Sequence, residues 1–134
     1  MADISVDFDG TVVFHRYPQI GEDIPGAVET LKKLVLQGHR LILFTMRSKQ
    51  ELVDAVKWFH DREIPLYAVN TNPEQISWTD SPKVHSQLYI DDHGIGCPCG
   101  IEIPVGAEIN SANARLFVDW EKLNQILIDT GFLV

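Results

Sequence analysis

The chain alternates short apolar segments with segments of helical periodicity, and this alternation constrains its fold more than any other feature. Residues 4–8, 41–45, 66–69 and 86–90 have the composition and bounding turns of four β-strands. Residues 41–45 are almost continuously apolar, which is typical of a strand buried on both faces of a parallel sheet. Because parallel strands need crossover helices, the sequence predicts an α/β fold: a three-layer, Rossmann-like parallel sheet with helices on both faces.

Helix signals occupy three of the remaining segments. The first helix is expected to begin after Pro25 and Gly26 and to end at Gly38. The second helix begins with a predicted capping box, in which Ser48 and Glu51 have the required three-residue spacing. Its expected buried stripe consists of Leu52, Val53, Val56 and Phe59.

The rest of the chain holds weaker signals. Asp119 is expected to cap a final helix that ends at Gly131. Residues 101–103 predict a fifth, short strand between glycines and prolines, and residues 70–83 predict a loop or one short helix.

Composition limits the partners and the compartment. With 134 residues, the chain is expected to form a single domain over residues 1–134. Eleven basic and 19 acidic residues give a net charge of −8, which disfavours binding to duplex nucleic acid. No apolar run approaches the length of a membrane span, and no signal peptide is visible, so we expect a cytoplasmic protein with no membrane association.

Acidic side chains follow the predicted strands. Asp7 lies at the end of the first strand and Asp9 directly after it, Thr45 ends the second, and Asp91 and Asp92 come after the fourth. The carboxyl ends of parallel strands meet at one edge of a sheet, where ligands bind in such folds. Several carboxylates cannot all be ionised there without a cation, and hard oxygen ligands favour Mg²⁺. The sequence therefore predicts a magnesium site at this edge.

A charge balance links this site to phosphate chemistry. Asp7, Asp91 and Asp92 carry −3, which Mg²⁺ and Lys83 would offset before a phosphate binds. Phosphoryl transfer requires positioning and positive charge around the phosphoryl oxygens. The Thr45 hydroxyl and the backbone N–H groups at the turn of Asp9 and Gly10 are suitable additional donors.

These elements together resemble the haloacid dehalogenase-like (HAD) phosphohydrolases. The resemblance covers residues 3 to about 96 and consists of the Asp-Phe-Asp-Gly-Thr run from Asp7 to Thr11, then Thr45, Lys83 and the acidic pair, in order. It implies a magnesium-dependent phosphatase. Asp7 would be the nucleophile that forms an aspartyl-phosphate, and Asp9 would be the general acid and then the base.

The resemblance also implies roles for the remaining residues. Lys83, Gly10 and the three residues Thr45, Met46 and Arg47 would hold the phosphoryl group, with Arg47 contacting the substrate phosphate as in some capless members. Magnesium would be held by Asp7, the Asp9 carbonyl, Asp91 and Asp92, of which Asp92 is the expected direct ligand. Lys83 is unusually close to Asp91 in sequence, so Lys49 or Arg47 is an alternative source of charge.

The spacing of the motifs leaves no room for the family's cap domain. The intervals from Asp9 to Thr45 and from Thr45 to Lys83 hold little more than one helix each. An open site is matched to a large substrate or to a neighbouring subunit in a homo-oligomer. Residues 14–24, which we call the flap, contain His15, Arg16 and Tyr17 and are expected to approach the leaving group. A sugar phosphate or a nucleotide is the preferred substrate, with a phosphorylated macromolecule as the alternative.

Other interpretations remain open or are disfavoured by the sequence. A phosphoacceptor receiver domain is disfavoured because Asp54, the mid-chain candidate, lies inside a predicted helix. A HAD-like module that binds phosphorylated ligands with little turnover stays open. Zinc binding by His93, Cys97 and Cys99 is disfavoured because no second ligand pair occurs elsewhere.

Overall fold

Four parallel strands form the main sheet of the computed structural model, which describes residues 1–103 and 114–134. The strands follow the order β3-β2-β1-β4 across the sheet. They are β1 (Asp3–Val6), β2 (Arg40–Leu43), β3 (Ala68–Val69) and β4 (Leu88–Ile90). The sheet is flanked by helices, so the predicted α/β architecture with a Rossmann-like parallel sheet is confirmed. Each strand ends at or before the predicted boundary, and the polar residues follow in loops.

The two central strands supply much of the core. Ile4 lies opposite Leu41 on one side and opposite Leu88 on the other, which fixes the register of three strands. Ile4 and Leu41 are fully buried, and burial of such a side chain contributes about 1.5–3 kcal/mol. The apolar sequence of these strands therefore explains their position at the centre of the sheet.

The three predicted helices are present. They are α1 (Ala27–Leu36), α2 (Lys49–Asp61) and α3 (Trp120–Asp129), and a short 3₁₀ helix spans Pro73–Ser77. Gly38 follows α1 with a φ of 92°, the left-handed conformation that a glycine terminator supplies. The Asp119 side chain accepts a hydrogen bond from the Lys122 amide at 3.1 Å, as predicted for a helix cap.

Two predictions about α2 are wrong. Ser48 precedes the helix but its side chain makes no capping hydrogen bond, and Lys49 has a φ of 51°, so the first turn lacks the geometry of a capping box. Val53 is 57% exposed and does not belong to the buried stripe. The ring of Phe8 packs against Trp58, with ring centroids 5.7 Å apart, and this contact selects another face of α2 for burial.

A second, antiparallel sheet has two strands, β5 (Cys99–Glu102) and β6 (Arg115–Val118). The predicted fifth strand at residues 101–103 overlaps β5, whereas β6 was not predicted. Val118 donates a backbone hydrogen bond to the Gly10 carbonyl at 3.0 Å. The small sheet is thereby attached to the loop that follows β1. Within residues 1–103 and 114–134, no helix combines the length and the apolar character that crossing a membrane requires.

Candidate functional site

A pocket of about 430 Å³ lies beyond the carboxyl ends of β1, β2 and β4. Most of the predicted site residues meet there, although they are far apart in sequence. Its walls are formed by Asp7, Asp9, His15, Tyr17, Phe44, Thr45, Met46, Arg47, Asp91, Asp92 and His93.

Thr11 connects the two acidic segments at the floor of this site. The Thr11 hydroxyl donates to Oδ2 of Asp7 at 2.9 Å and lies 3.4 Å from Oδ1 of Asp92. The Asp92 amide in turn donates to the Thr11 oxygen at 3.2 Å. Thr11 is fully buried. From the sequence alone no role is predicted for Thr11, although its place at the end of the Asp-Phe-Asp-Gly-Thr run was the available signal.

The negative charges of the carboxyl groups at the floor of the site repel one another. Burial, with Asp92 and Asp91 close by, raises the pKa of Asp7 from 3.8 to about 8. Burial also raises the pKa of Asp92, which is 5% exposed. A proton or a cation is therefore needed to hold Asp7 and Asp92 together at neutral pH, and the all-oxygen donor set fits Mg²⁺.

Gly10 allows Asp92 to approach this closely. Its φ is 80°, and a Cβ atom at this position would lie 2.3 Å from Oδ2 of Asp92. The Gly10 amide donates to the Val13 carbonyl at 2.8 Å. The hydrogen of this amide is therefore committed within the loop in this structure, and a role of Gly10 in binding phosphate stays a prediction. The amides of Asp9 and Met46 have no acceptor within the described residues.

Asp91, Asp92 and His93 form a compact group of possible metal ligands. One ligand atom from each lies within 4.8 Å of the other two. Nε2 of His93 is 3.6 Å from Oδ2 of Asp92, and the His93 side chain is 86% exposed. Asp91 and Asp92 are metal ligands predicted from the sequence, whereas His93 was considered only for a disfavoured zinc site with the two cysteines. Among residues 1–103 and 114–134 no such group includes a cysteine, and burial raises the pKa of the Cys99 thiol to about 11.

Arg47 binds Asp9 in a buried bidentate ion pair. Nε donates to Oδ2 of Asp9 at 2.7 Å and an Nη donates to Oδ1 at 2.8 Å. The side chain of Arg47 is 1% exposed and that of Asp9 is 12% exposed. The expected contact between Arg47 and a substrate phosphate does not match this placement, because the guanidinium faces Asp9 and backbone carbonyls.

Thr45 is placed as the sequence predicted. Its amide donates to Oδ1 of Asn70 at 2.8 Å, and its hydroxyl oxygen accepts from the Arg47 amide at 3.1 Å. In the described part of the chain the hydroxyl hydrogen has no acceptor. Met46 is 97% exposed at the pocket mouth. Thr45 can therefore donate its hydroxyl hydrogen to a bound ligand.

Lys83 lies outside the pocket. Its ammonium is 5.6 Å from the centre of the Tyr89 ring, which is 6.4 Å from the ring of Phe44 in the pocket wall. Lys49, the alternative cation, does not line the pocket either. Of the lysines and arginines in the described ranges, Arg47 alone contributes to the wall. Four aspartates and one arginine then leave a charge of −3 when every carboxyl is ionised.

The mouth of the pocket has an apolar and aromatic character. His15 and Tyr17 of the flap line it, together with Phe44. Arg16, the third flap residue named from sequence, instead forms a bidentate pair with Glu102 at 2.7 and 2.9 Å. The flap is thus attached to the small sheet on one side and contributes an aromatic ring to the pocket on the other.

Fold and pocket together define the class of this molecule: an α/β protein whose parallel sheet carries an acidic pocket at its carboxyl edge. No protein-family model matches the sequence, and no curated protein does. A solved structure does match, with 38% sequence identity over 96% of this chain and 91% of the other, and with a TM-score of 0.71. It is described as the structure of a conserved protein coded by a locus from Bacteroides thetaiotaomicron. The chain belongs to the same family as this conserved protein.

Proposed function

We propose that the protein is a magnesium-dependent phosphomonoester hydrolase of the HAD type, with Asp7 as the nucleophile. One observation carries the proposal: Asp7 follows the central strand β1 and shares a pocket with Asp9, Asp91 and Asp92. Such crowding raises the pKa of Asp7 to about 8. This repulsion is unfavourable in the ion-free protein, and a bound cation relieves it, which supports a cation site that receives a phosphate.

The proposed ion fits the donors of the pocket. Asp92 and Asp7 would hold Mg²⁺, with Asp91 beside them and with the Asp9 carbonyl, which accepts no hydrogen bond from the described residues. When bound, the ion supplies positive charge that offsets the phosphoryl oxygens. Thr11, which bridges Asp7 and Asp92, keeps the two carboxylates in place for this purpose.

In the first half of the reaction, a carboxylate oxygen of Asp7 attacks phosphorus and forms an aspartyl-phosphate. The bond between phosphorus and the ester oxygen breaks, and Asp9 gives its proton to the departing oxygen. Both Asp9 oxygens accept hydrogen bonds from Arg47. A carboxylate has about four lone pairs that can accept, so two lone pairs of Asp9 remain available to carry the proton that it gives to the leaving group.

In the second half, Asp9 takes a proton from a water molecule, which attacks the phosphorus of the aspartyl-phosphate. The bond between phosphorus and the Asp7 oxygen breaks, inorganic phosphate leaves, and the Asp7 carboxylate is restored. Donors for the phosphoryl oxygens would be the Thr45 hydroxyl and the amides of Asp9 and Met46. Lys83 would turn from the Tyr89 ring toward the pocket when a phosphate dianion is present.

Among the described residues no cap domain lies between the motifs of the proposed enzyme, and the short flap stands at the mouth of its site. The aromatic residues Tyr17 and Phe44 at this mouth suit a substrate with a flat or apolar leaving group, such as a nucleotide, whereas a sugar phosphate would need polar contacts. A phosphorylated macromolecule or the neighbouring subunit of a homo-oligomer would cover the open face. Sugar phosphates, nucleotides and phosphopeptides therefore belong in one substrate panel.

Phosphate release with and without Mg²⁺ tests the proposal. The wild type should turn over members of the panel in a magnesium-dependent manner, and Asp7→Asn should abolish turnover, because the amide is not a nucleophile. Asp80→Asn is the matched control, since Asp80 is exposed and lies outside the pocket. Equal turnover by wild type and Asp7→Asn would contradict the assignment of the nucleophile.

A second candidate is a module that binds phosphorylated ligands with little turnover. The placement of Lys83 outside the pocket favours low turnover, because no lysine of the described residues then offsets the charge around a transferred phosphoryl group. Calorimetry with the same panel separates the two functions. Binding without phosphate release from any ester would support the second candidate.

A further inference from the structure

The guanidinium of Arg47 has no hydrogen-bond donor to spare. An arginine side chain carries five N–H donors in a fixed planar arrangement. Two of them bind Asp9. The other three donate to the backbone carbonyls of Pro18, Gln19 and Glu51 at 3.2, 3.0 and 3.3 Å.

These five bonds join segments that are distant in sequence. Asp9 belongs to the loop after β1, Pro18 and Gln19 belong to the flap, and Glu51 lies in the first turn of α2. The guanidinium also lies 5.0 Å from the centre of the Phe8 ring and 5.2 Å from that of Tyr17. Arg47 therefore has aromatic rings as well as hydrogen-bond acceptors around it, and a phosphate would have to displace one of these partners.

We propose that Arg47 is a positioning residue, which orients the Asp9 carboxylate and holds the flap at the pocket mouth, and that it does not bind the substrate phosphate. This inference rests on the proposed function for its catalytic part. The same guanidinium that fixes both oxygens of Asp9 also fixes the backbone that carries Tyr17. The Arg47 side chain therefore links the position of Asp9, the proton donor, to the position of the flap.

A positioning role and a phosphate contact have different kinetic consequences. Asp9 protonates the leaving group in the first half-reaction, so its misplacement slows formation of the aspartyl-phosphate from esters of poorly acidic alcohols and spares formation from esters of acidic phenols, which leave without a proton. Its misplacement slows the second half-reaction equally for both classes, because the aspartyl-phosphate is the same. Loss of a phosphate contact would slow both classes alike and weaken the binding of phosphate analogues. Leaving-group dependence therefore distinguishes the two roles.

The experiment compares Arg47→Met, Arg47→Lys, Asp9→Asn and the double variant of Arg47→Met with Asp9→Asn. With β-glycerophosphate, Arg47→Met should lower kcat/KM, which reports formation of the aspartyl-phosphate, by about 10²-fold or more, whereas with p-nitrophenyl phosphate kcat/KM should fall less than about tenfold. Arg47→Met should add nothing in the Asp9→Asn background. Arg47→Lys should recover little, because an ammonium cannot reproduce the bidentate fork.

Arg40→Met is the matched control, since Arg40 makes bidentate pairs with Asp3 and Glu74 at the opposite end of the sheet. Its leaving-group dependence should equal that of the wild type. Orthovanadate should bind Arg47→Met within about threefold of the wild-type affinity. An equal loss with both esters, together with vanadate affinity weakened more than tenfold, would overturn the proposal.

A second readout does not depend on turnover. The Phe14 amide donates to the Glu22 carbonyl across the flap, so its hydrogen exchange reports whether the flap is held. Exchange at Phe14 should accelerate at least about tenfold in Arg47→Met and stay unchanged in Arg40→Met. An unchanged rate in Arg47→Met would overturn the proposed hold on the flap. If the wild type hydrolyses no ester, the proposed function fails, and the exchange rates still decide this part of the inference.

Discussion

Replacing Asp7 with asparagine should stabilise the ion-free protein in alkaline solution, although it should abolish catalysis. The amide has nearly the same shape as the carboxyl group, and its oxygen can still accept from Thr11. Its N–H group can donate to Asp92, where the wild type has two carboxyl groups in competition. The substitution thus removes a buried charge without leaving a cavity.

The magnitude follows from the pKa of Asp7, which burial and the neighbouring aspartates raise from 3.8 to about 8. Between these values the folded protein binds a proton that the unfolded chain has lost, so the free energy of unfolding falls as pH rises. This loss of free energy of unfolding is absent below pH 3.8 and complete above about pH 8. Each pKa unit corresponds to about 1.4 kcal/mol, so ionisation of Asp7 can lower the free energy of unfolding by about 6 kcal/mol at most. Because local relaxation reduces this effect, we expect Asp7→Asn to be more stable than the wild type by at least about 2 kcal/mol at alkaline pH.

Urea unfolding in the presence of a chelator, at about pH 5.5 and about pH 8.5, measures this effect. The free energy of unfolding of Asp7→Asn should exceed that of the wild type at the higher pH, and the difference should shrink at the lower pH. Asp80→Asn makes the same change in charge at an exposed site and should show neither effect. A difference that is the same at both pH values would refute the reasoning.

Three further predictions concern neighbouring residues. Mg²⁺ should raise the Tm of the wild type at about pH 8.5, where the carboxyl groups are ionised, and Asp92→Asn should lose most of that shift; an equal shift in a melting assay of both proteins would argue against Asp92 as a ligand. Gly10→Ala should lower the free energy of unfolding in urea by at least about 2 kcal/mol, because φ is 80° and the added Cβ would meet Asp92; a fully stable variant would count against the close approach of these residues. Lys83→Met should reduce kcat/KM for phosphomonoesters at least about tenfold, because no lysine of residues 1–103 and 114–134 lines the pocket and Lys83 is the one proposed to turn toward it; unchanged kinetics would mean that Lys83 remains on Tyr89.

The parallel sheet could be predicted because its signals are local. Apolar strands alternating with periodic helices leave few other architectures, and polar residues directly after three strands must meet at one edge. That reasoning brought Asp7, Asp9, Thr45 and Asp92 into one pocket, as the structure places them. It succeeded because the order of strands in a parallel sheet does not change which end of each strand faces the ligand.

The placements that the sequence missed share a different cause. The Gly10 amide was expected to face a ligand, yet it bonds to Val13 within its own loop. Val53 was placed in the buried stripe of α2, but Phe8 packs on Trp58 and selects another face. In each case the placement depends on a tertiary or loop contact with another residue. The periodicity of a segment carries no information about such contacts.

The sequence by itself determined the α/β architecture and the set of acidic residues at the carboxyl edge of the sheet, because strand and helix periodicity are properties of each segment alone. Tertiary structure alone decided how those residues are used. Arg47 meets Asp9 and the flap, Thr11 joins Asp7 to Asp92, and Lys83 rests on Tyr89. A hydrogen-bond donor binds the acceptor that folding brings within about 3 Å, and that distance depends on the packing of the whole chain.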